Sequence, residues 1–107
     1  MPDSAGDAFR ALADPTRRAI VALLAENDLT IGAVAENFQM TRPAVKKHLT
    51  VLERGGLVRV EARGRERINR INRDGLHAVA DWVAQIDQFW SRRLEALKET
   101  IERETRK

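Results

Sequence analysis

The stretch Thr41-Arg42-Pro43-Ala44-Val45-Lys46-Lys47-His48-Leu49-Thr50-Val51-Leu52-Glu53-Arg54-Gly55-Gly56 holds a helix start, a buried stripe, a basic face and a helix stop in one short span. Thr41 offers a hydroxyl to cap free backbone amides, and Pro43 sits where a missing N–H costs little. Val45, Leu49 and Leu52 recur at helical spacing on one side. Pro43, Lys47, Thr50 and Arg54 lie nearly opposite, with Arg42 and Lys46 on a flank. The outward face is polar and basic, and Glu53, the one nearby carboxylate, lies at its far end. Gly55-Gly56 stops the helix, because glycine accepts the left-handed conformation found just past a helix end.

Towards the N-terminus, Thr30 caps another short helix with Ile31, Val34, Ala35 and Phe38 on its buried face. Leu29 and Val34 are spaced as a hydrophobic staple, and Met40 and Val45 repeat that relation across the brief connection Gln39-Met40. Two short capped helices joined so tightly make a helix-turn-helix over about 30–54. Earlier still, Asp14-Pro15 pairs a capping carboxylate with proline at the first helical position, and Ile20, Leu23 and Leu24 follow at helical spacing. Phe9 and Leu12 on a preceding short helix join that stripe, and Asn27-Asp28 ends it.

Towards the C-terminus, Leu57, Val58 and Val60 begin an extended run, Arg63-Gly64-Arg65 turns it, and Ile68 to Ile71 return. Val58 and Val60 share a face whereas Ile68 and Ile71 point to opposite sides, so the hairpin is better specified than its register. A ribbon over about 57–72, tipped by Arg63 and Arg65 and flanked by Arg59, Arg67 and Arg70, is a wing able to straddle a phosphate backbone or enter a minor groove. From Asp74 to about 104 one long helix is expected. Its apolar stripe runs through Val79, Trp82, Val83, Ile86, Phe89, Trp90, Leu94, Leu97 and Ile101. So small a helix-turn-helix core cannot cover that stripe, which points to the same helix of a second subunit. The expected dimerisation residues are Phe9, Trp82, Ile86, Phe89, Trp90, Leu94, Leu97 and Ile101.

A chain of 107 residues fits one domain. The expected fold class is mainly α with a small β-hairpin wing, a winged helix-turn-helix dimerising through its long C-terminal helix. Net charge is +3, but unevenly spread: residues 41–73 hold 10 of the 19 basic side chains against 3 of the 16 acidic ones. A basic block between acidic or neutral flanks suits a face that meets phosphates, although a solvated surface would have the same composition. Cysteine is absent, which removes disulfides, thiol nucleophiles and thiolate metal sites. No apolar run is long enough to span a bilayer, and MPDSAGDAFR lacks the basic and apolar blocks of a signal peptide, so the cytoplasm is expected. Ser4 and Ser91 lack a histidine partner by spacing, and neither a glycine-rich phosphate loop nor a carboxylate pair is present. Neither an enzyme nor a cofactor is expected.

The segments Asp14-Pro15-Thr16-Arg17-Arg18, Thr41 to Leu49, Val51-Leu52-Glu53, Gly56-Leu57-Val58 and Gly64-Arg65 resemble the ArsR/SmtB family of bacterial repressors over roughly residues 8 to 100. The resemblance implies a homodimer binding a two-fold symmetric operator in double-stranded DNA, usually as a repressor released by a ligand. It places Thr41, Arg42, Lys46, Lys47 and His48 at the DNA, and Arg63, Arg65 and Arg67 on the wing. Metal-sensing members use cysteines on the third helix or a spaced Asp/His set on the last helix, and this chain has neither. Lys46 stands where a small hydroxyl residue is common. Trp82, Phe89-Trp90 and Arg93-Leu94 look like the metal-independent branch.

Plainer readings stand beside these. His48, next to the buried stripe, suits a structural hydrogen bond as well as a phosphate contact. His77 and Asp81 are one turn apart and are an ordinary surface pair as readily as the start of a metal site. Trp82, Phe89 and Trp90 could be core or the lining of a pocket at the dimer seam. A winged-helix adaptor that binds another protein, and a DNA-binding sensor of a metal or small organic effector, are the rival functions.

Overall fold

A computed structural model describes residues 4–106. The elements in order are α1 (Ser4–Leu12), α2 (Pro15–Glu26), β1 (Leu29–Thr30), α3 (Ile31–Phe38), α4 (Arg42–Arg54), β2 (Val58–Arg63), β3 (Glu66–Ile71) and α5 (Arg73–Thr105). The capping residues act as their types require. The Asp14 carboxylate accepts from the Arg17 amide at 3.0 Å, Thr30 Oγ1 from Ala33 at 3.2 Å, and Thr41 Oγ1 from Ala44 at 3.3 Å. The side chains of Arg17 and Arg18 turn back to donate to the last carbonyls of α1, from Arg10 to Ala13. The Asp-Pro-Thr-Arg-Arg segment thus starts one helix and closes the one before it.

The core lies between α1–α4 and the root of the sheet. Ile20, Leu24, Val34, Val45, Leu49, Leu52, Leu57 and Val58 are buried, and Phe38, Met40, Leu76 and Val79 pack at its edge. The stripes read for α3 and α4 face inward, as do Leu12 of α1 and Ile20 and Leu24 of α2, whereas Phe9 and Leu23 lie outside this cluster.

Three details depart from the expected layout. The sheet has three antiparallel strands, ordered β1-β3-β2, because Leu29 and Thr30 pair with Asn69 and Ile68 before the chain turns into α3. The buried Asn69 side chain reinforces that edge by donating to the Leu29 carbonyl at 3.1 Å. At the end of α4 the positive φ falls on Gly56, at 75°. Gly55 stays in the right-handed region, and its missing side chain instead admits α1: a Cβ there would meet the Asp7 carbonyl at 3.0 Å. The wing turn is Gly64-Arg65, with φ 61° at Gly64, while Arg63 already pairs with Glu66.

That pairing settles the register. Val58, Val60, Ala62, Arg67, Asn69 and Ile71 share the face towards the core and α4, while Arg59, Glu61, Arg63, Glu66, Ile68 and Arg70 take the other. Ile68 is buried on that outer side, apart from the main core cluster.

The N-terminus of α5 is locked to the body. Asn72 Nδ2 donates to the Gly56 carbonyl at 2.7 Å, and the Asn72 amide donates to the Leu57 carbonyl at 2.9 Å. Beyond Val79 no residue of the helix packs against the core cluster, and no residue of α5 is buried. Trp82, Val83, Ile86, Phe89, Trp90, Leu94, Leu97 and Ile101 are 40–62% exposed. Phe9 of α1 meets Trp82 edge to face at 5.1 Å between centroids, so α1 continues the same apolar strip.

Capping at Asp14 has a pH consequence. The hydrogen bond from Arg17, with lesser help from the charges of Arg17 and His48, lowers its pKa below the ordinary carboxylate value. A group with a depressed folded-state pKa stabilises above its unfolded pKa of about 3.9 and stops doing so as pH falls through the folded value. Asp14→Ala should therefore lower the urea midpoint at pH 7, and the gap to the wild type should close as pH falls below about 4. An unchanged gap down to pH 2 would contradict this role for the carboxylate.

Candidate nucleic-acid interface

Helix α4 has its stripe Val45, Leu49 and Leu52 fully in the core. The opposite side is therefore held outward by packing rather than by contacts of its own. Thr41, Arg42, Pro43, Lys46, Lys47 and Arg54 are exposed there, and Thr50 is half-buried. Lys46 and Thr50 turn towards the wing. They line a groove of about 170 Å³ together with Arg67 and Asn69 of β3, Val60 of β2, and Ile31, Leu49 and Glu53. The tip residue Arg65 is exposed in the turn beyond β2.

The sheet sorts the wing arginines by their partners. On the outer face Arg70 binds Asp28 at 3.2 Å and Glu61 at 3.4 Å, Arg63 binds Glu61 at 3.1 Å with Asp28 at 4.0 Å, and Arg59 reaches Asp74 at 3.7 Å. Among the described residues, Arg42, Lys46, Lys47, Arg54, Arg65 and Arg67 make no salt bridge within 4 Å. Charge that is neutralised locally sits on one face of the wing, whereas two of these cations, Lys46 and Arg67, line the α4–wing groove on the other together with Glu53. Arg63, expected to act beside Arg65 and Arg67, is placed with the paired set. Its side chain leaves Arg67 across the sheet because their positions alternate in register.

Two further residues have particular settings. The Arg42 guanidinium folds back over Gly32 of α3, so close that a Cβ on Gly32 would come within 2.9 Å of Nη2. His48 is half-buried, and its Nδ1 lies 3.5 Å from Arg17 Nη1. Arg17 also donates to the Ala11 carbonyl at 2.6 Å, so His48 belongs to the network joining α1, α2 and α4. The structural reading of His48 thus has an identified partner. Sequence reasoning missed Arg17 and Gly32 because each matters through a residue distant along the chain.

His77 and Asp81 are exposed on α5, and among the described residues no group of three or more His, Cys, Asp or Glu side chains is placed to hold a metal ion. No helix among them is long and apolar enough to cross a membrane.

Comparison with known proteins gives this geometry its context. A helix-turn-helix domain family matches residues 12–61. The chain is 39% identical to the HTH-type transcriptional regulator Rv2034 of Mycobacterium tuberculosis, over 91% of this chain and 88% of that one. Among solved structures, an ArsR-like transcriptional regulator from Rhodococcus sp. RHA1 superposes with a TM-score of 0.78 at 33% identity, covering 90% of this chain and 91% of that one. The homodimeric winged helix-turn-helix DNA-binding domain of Mb0332 from Mycobacterium bovis gives 0.67 at 28% identity, over 80% and 81%. By this likeness in sequence and fold, the chain belongs to the ArsR/SmtB family of winged helix-turn-helix transcriptional regulators.

Proposed function

We propose that this protein is a homodimeric repressor that binds a palindromic operator, with α4 of each subunit in successive major grooves about 34 Å apart. The observation that carries the reading is the segregation of charge: Lys46 and Arg67, without a salt bridge among the described residues, line the α4–wing groove, while the ion-paired arginines lie on the sheet's other face. Duplex DNA would run with one strand's phosphates along that groove, between Lys46 and Thr50 on one bank and Arg67 on the other. Thr41, Pro43 and Arg42 would stand at the front of the helix, Arg42 swinging off Gly32 to reach a guanine edge. Lys47, Arg54 and Arg65 would hold phosphates, and Arg63 would contribute by fixing the wing. Residues of about 30–54, 57–72 and 74–104 would serve as reading head, wing and dimer helix of one domain. Repression would follow from occupying promoter DNA in the cytoplasm, with neither catalysis nor cofactor involved.

The test is selection of bound sequences from random DNA, followed by fluorescence anisotropy at several salt concentrations. A palindrome with half-sites one helical turn apart supports the reading. Affinity that ignores salt would instead favour a protein-binding adaptor. Arg42→Ala should cost about 1–3 kcal/mol on the selected site and little on random DNA, relaxing the preference at one base pair. Arg65→Ala should weaken both alike and flatten the salt slope by about one unit. Equal losses on both DNAs for Arg42→Ala would remove it from the reading role.

A further inference from the structure

The groove between α4 and the wing has a composition that phosphate binding alone does not require. Its floor is apolar, made by Ile31, Leu49 and Val60. Leu49 is 5% exposed, and the other two are half-buried. Lys46 and Arg67 line the groove as well, neither in a salt bridge among the described residues, and Glu53 contributes its one acidic side chain. A phosphodiester seats well on cations and hydroxyls and gains nothing from a hydrocarbon floor. An apolar body carrying one negative charge satisfies both parts: the body covers the floor and the charge meets the cations. At about 170 Å³ the groove is smaller than the ~300–1,000 Å³ of pockets for drug-sized ligands, which limits the occupant to a single ring or a short chain. One carboxylate between Lys46 and Arg67 is compensated, whereas a second acidic group on the ligand would meet Glu53.

We infer that this groove is an effector site for small aromatic or short aliphatic monocarboxylates, which occupy it in competition with DNA. The inference rests on the DNA-binding reading for its consequence but not for the site itself. Regulation would then need no transmitted conformational change. The acid sits where the phosphate strand would lie and takes up Lys46 and Arg67, so binding of one excludes the other.

Benzoate is a suitable probe, with benzyl alcohol as the same ring without the charge. In NMR titrations of the full chain without DNA, benzoate should shift the amides of Leu49, Val60 and Asn69, and benzyl alcohol should bind at least about tenfold more weakly. Lys46→Gln and Arg67→Gln should each weaken benzoate about fivefold, and Glu53→Gln should tighten it. Circular dichroism of these surface variants should be unchanged. Benzoate at its own dissociation constant should raise the apparent dissociation constant for the palindromic site about fourfold, a factor of two for each groove of the dimer, beyond the effect of sodium chloride at equal ionic strength. Shifts confined to the Trp82–Trp90 face, equal binding of the alcohol, or indifference to Lys46→Gln and Arg67→Gln would overturn the site. Benzoate bound in the groove with unaltered DNA affinity would overturn the competition. A chain that binds benzoate there but no DNA would sink the operator reading and leave the site standing.

Discussion

The double variant Ile86→Glu, Trp90→Glu should run at half the native mass in light scattering and lose at least about 100-fold in affinity for the palindromic site. The two side chains stand one helical turn apart on α5, 40% and 57% exposed, and neither belongs to the core cluster. Eight large apolar side chains, each about half exposed on this helix, offer on the order of 800 Å² per subunit, which is what a stable interface buries on each side. A monomeric protein seldom shows so large a contiguous patch. Two carboxylates in that strip would have to be desolvated without partners, at several kcal/mol each, so the association equilibrium collapses while the body keeps its fold. DNA affinity falls with it, because the second half-site is bound at high effective concentration only while the subunits are joined. Affinity for an isolated half-site should hardly change. A variant that remained dimeric would place the subunit contact elsewhere, and one that lost half-site binding as well would mean that α5 supports the reading head directly.

What could be read along the chain was whatever its own neighbours determine. Thr41, Val45, Leu49 and Leu52 declare a helix and its inward face because cap and stripe are separated by single turns. Asp14 and Pro15 do the same for α2. The long apolar strip of α5 is legible for the same reason, and its length alone argued for a partner. Features depending on distant pairs were hidden. A strand of two residues has no period, and Leu29-Thr30 becomes one only because β3 arrives beside it. Ile68 and Ile71 read as conflicting signals until the pairing assigned Ile71 to the core side and Ile68 to the other. Nothing in the order of the wing residues says that Asp28, far earlier in the chain, stands 3.2 Å from Arg70 and draws it into an ion pair on the outer face. The candidate groove combines both kinds of information: Lys46 and Thr50 were named from their helix, but their placement opposite Arg67 came from the fold.

Glycines show the contrast most sharply, and one of them carries the largest expected stability effect. Gly75→Ala should destabilise the protein by about 3 kcal/mol or more, lowering the melting temperature by roughly 12 °C or more. Helix propensity alone predicts the reverse, since alanine in a helix is favoured over glycine by about 1 kcal/mol. The difference lies in what the missing side chain admits. A Cβ on Gly75 would overlap the carbonyl oxygen and carbon of Gly56, which are backbone atoms held in place by the left-handed turn at the end of α4 and by the hydrogen bond from Asn72. Neither side can yield by rotating a side chain, so the start of α5 must lift off the α4–β2 corner, breaking the Asn72 bonds and uncovering Leu76 and Val79. Gly32→Ala is the matching control. There the obstacle is the end of the flexible Arg42 side chain, so the same exchange should be neutral or slightly stabilising in chemical denaturation, while it pushes Arg42 from its resting place. If the two alanines shifted the urea midpoint alike, close backbone approach at the root of α5 would not be what Gly75 provides.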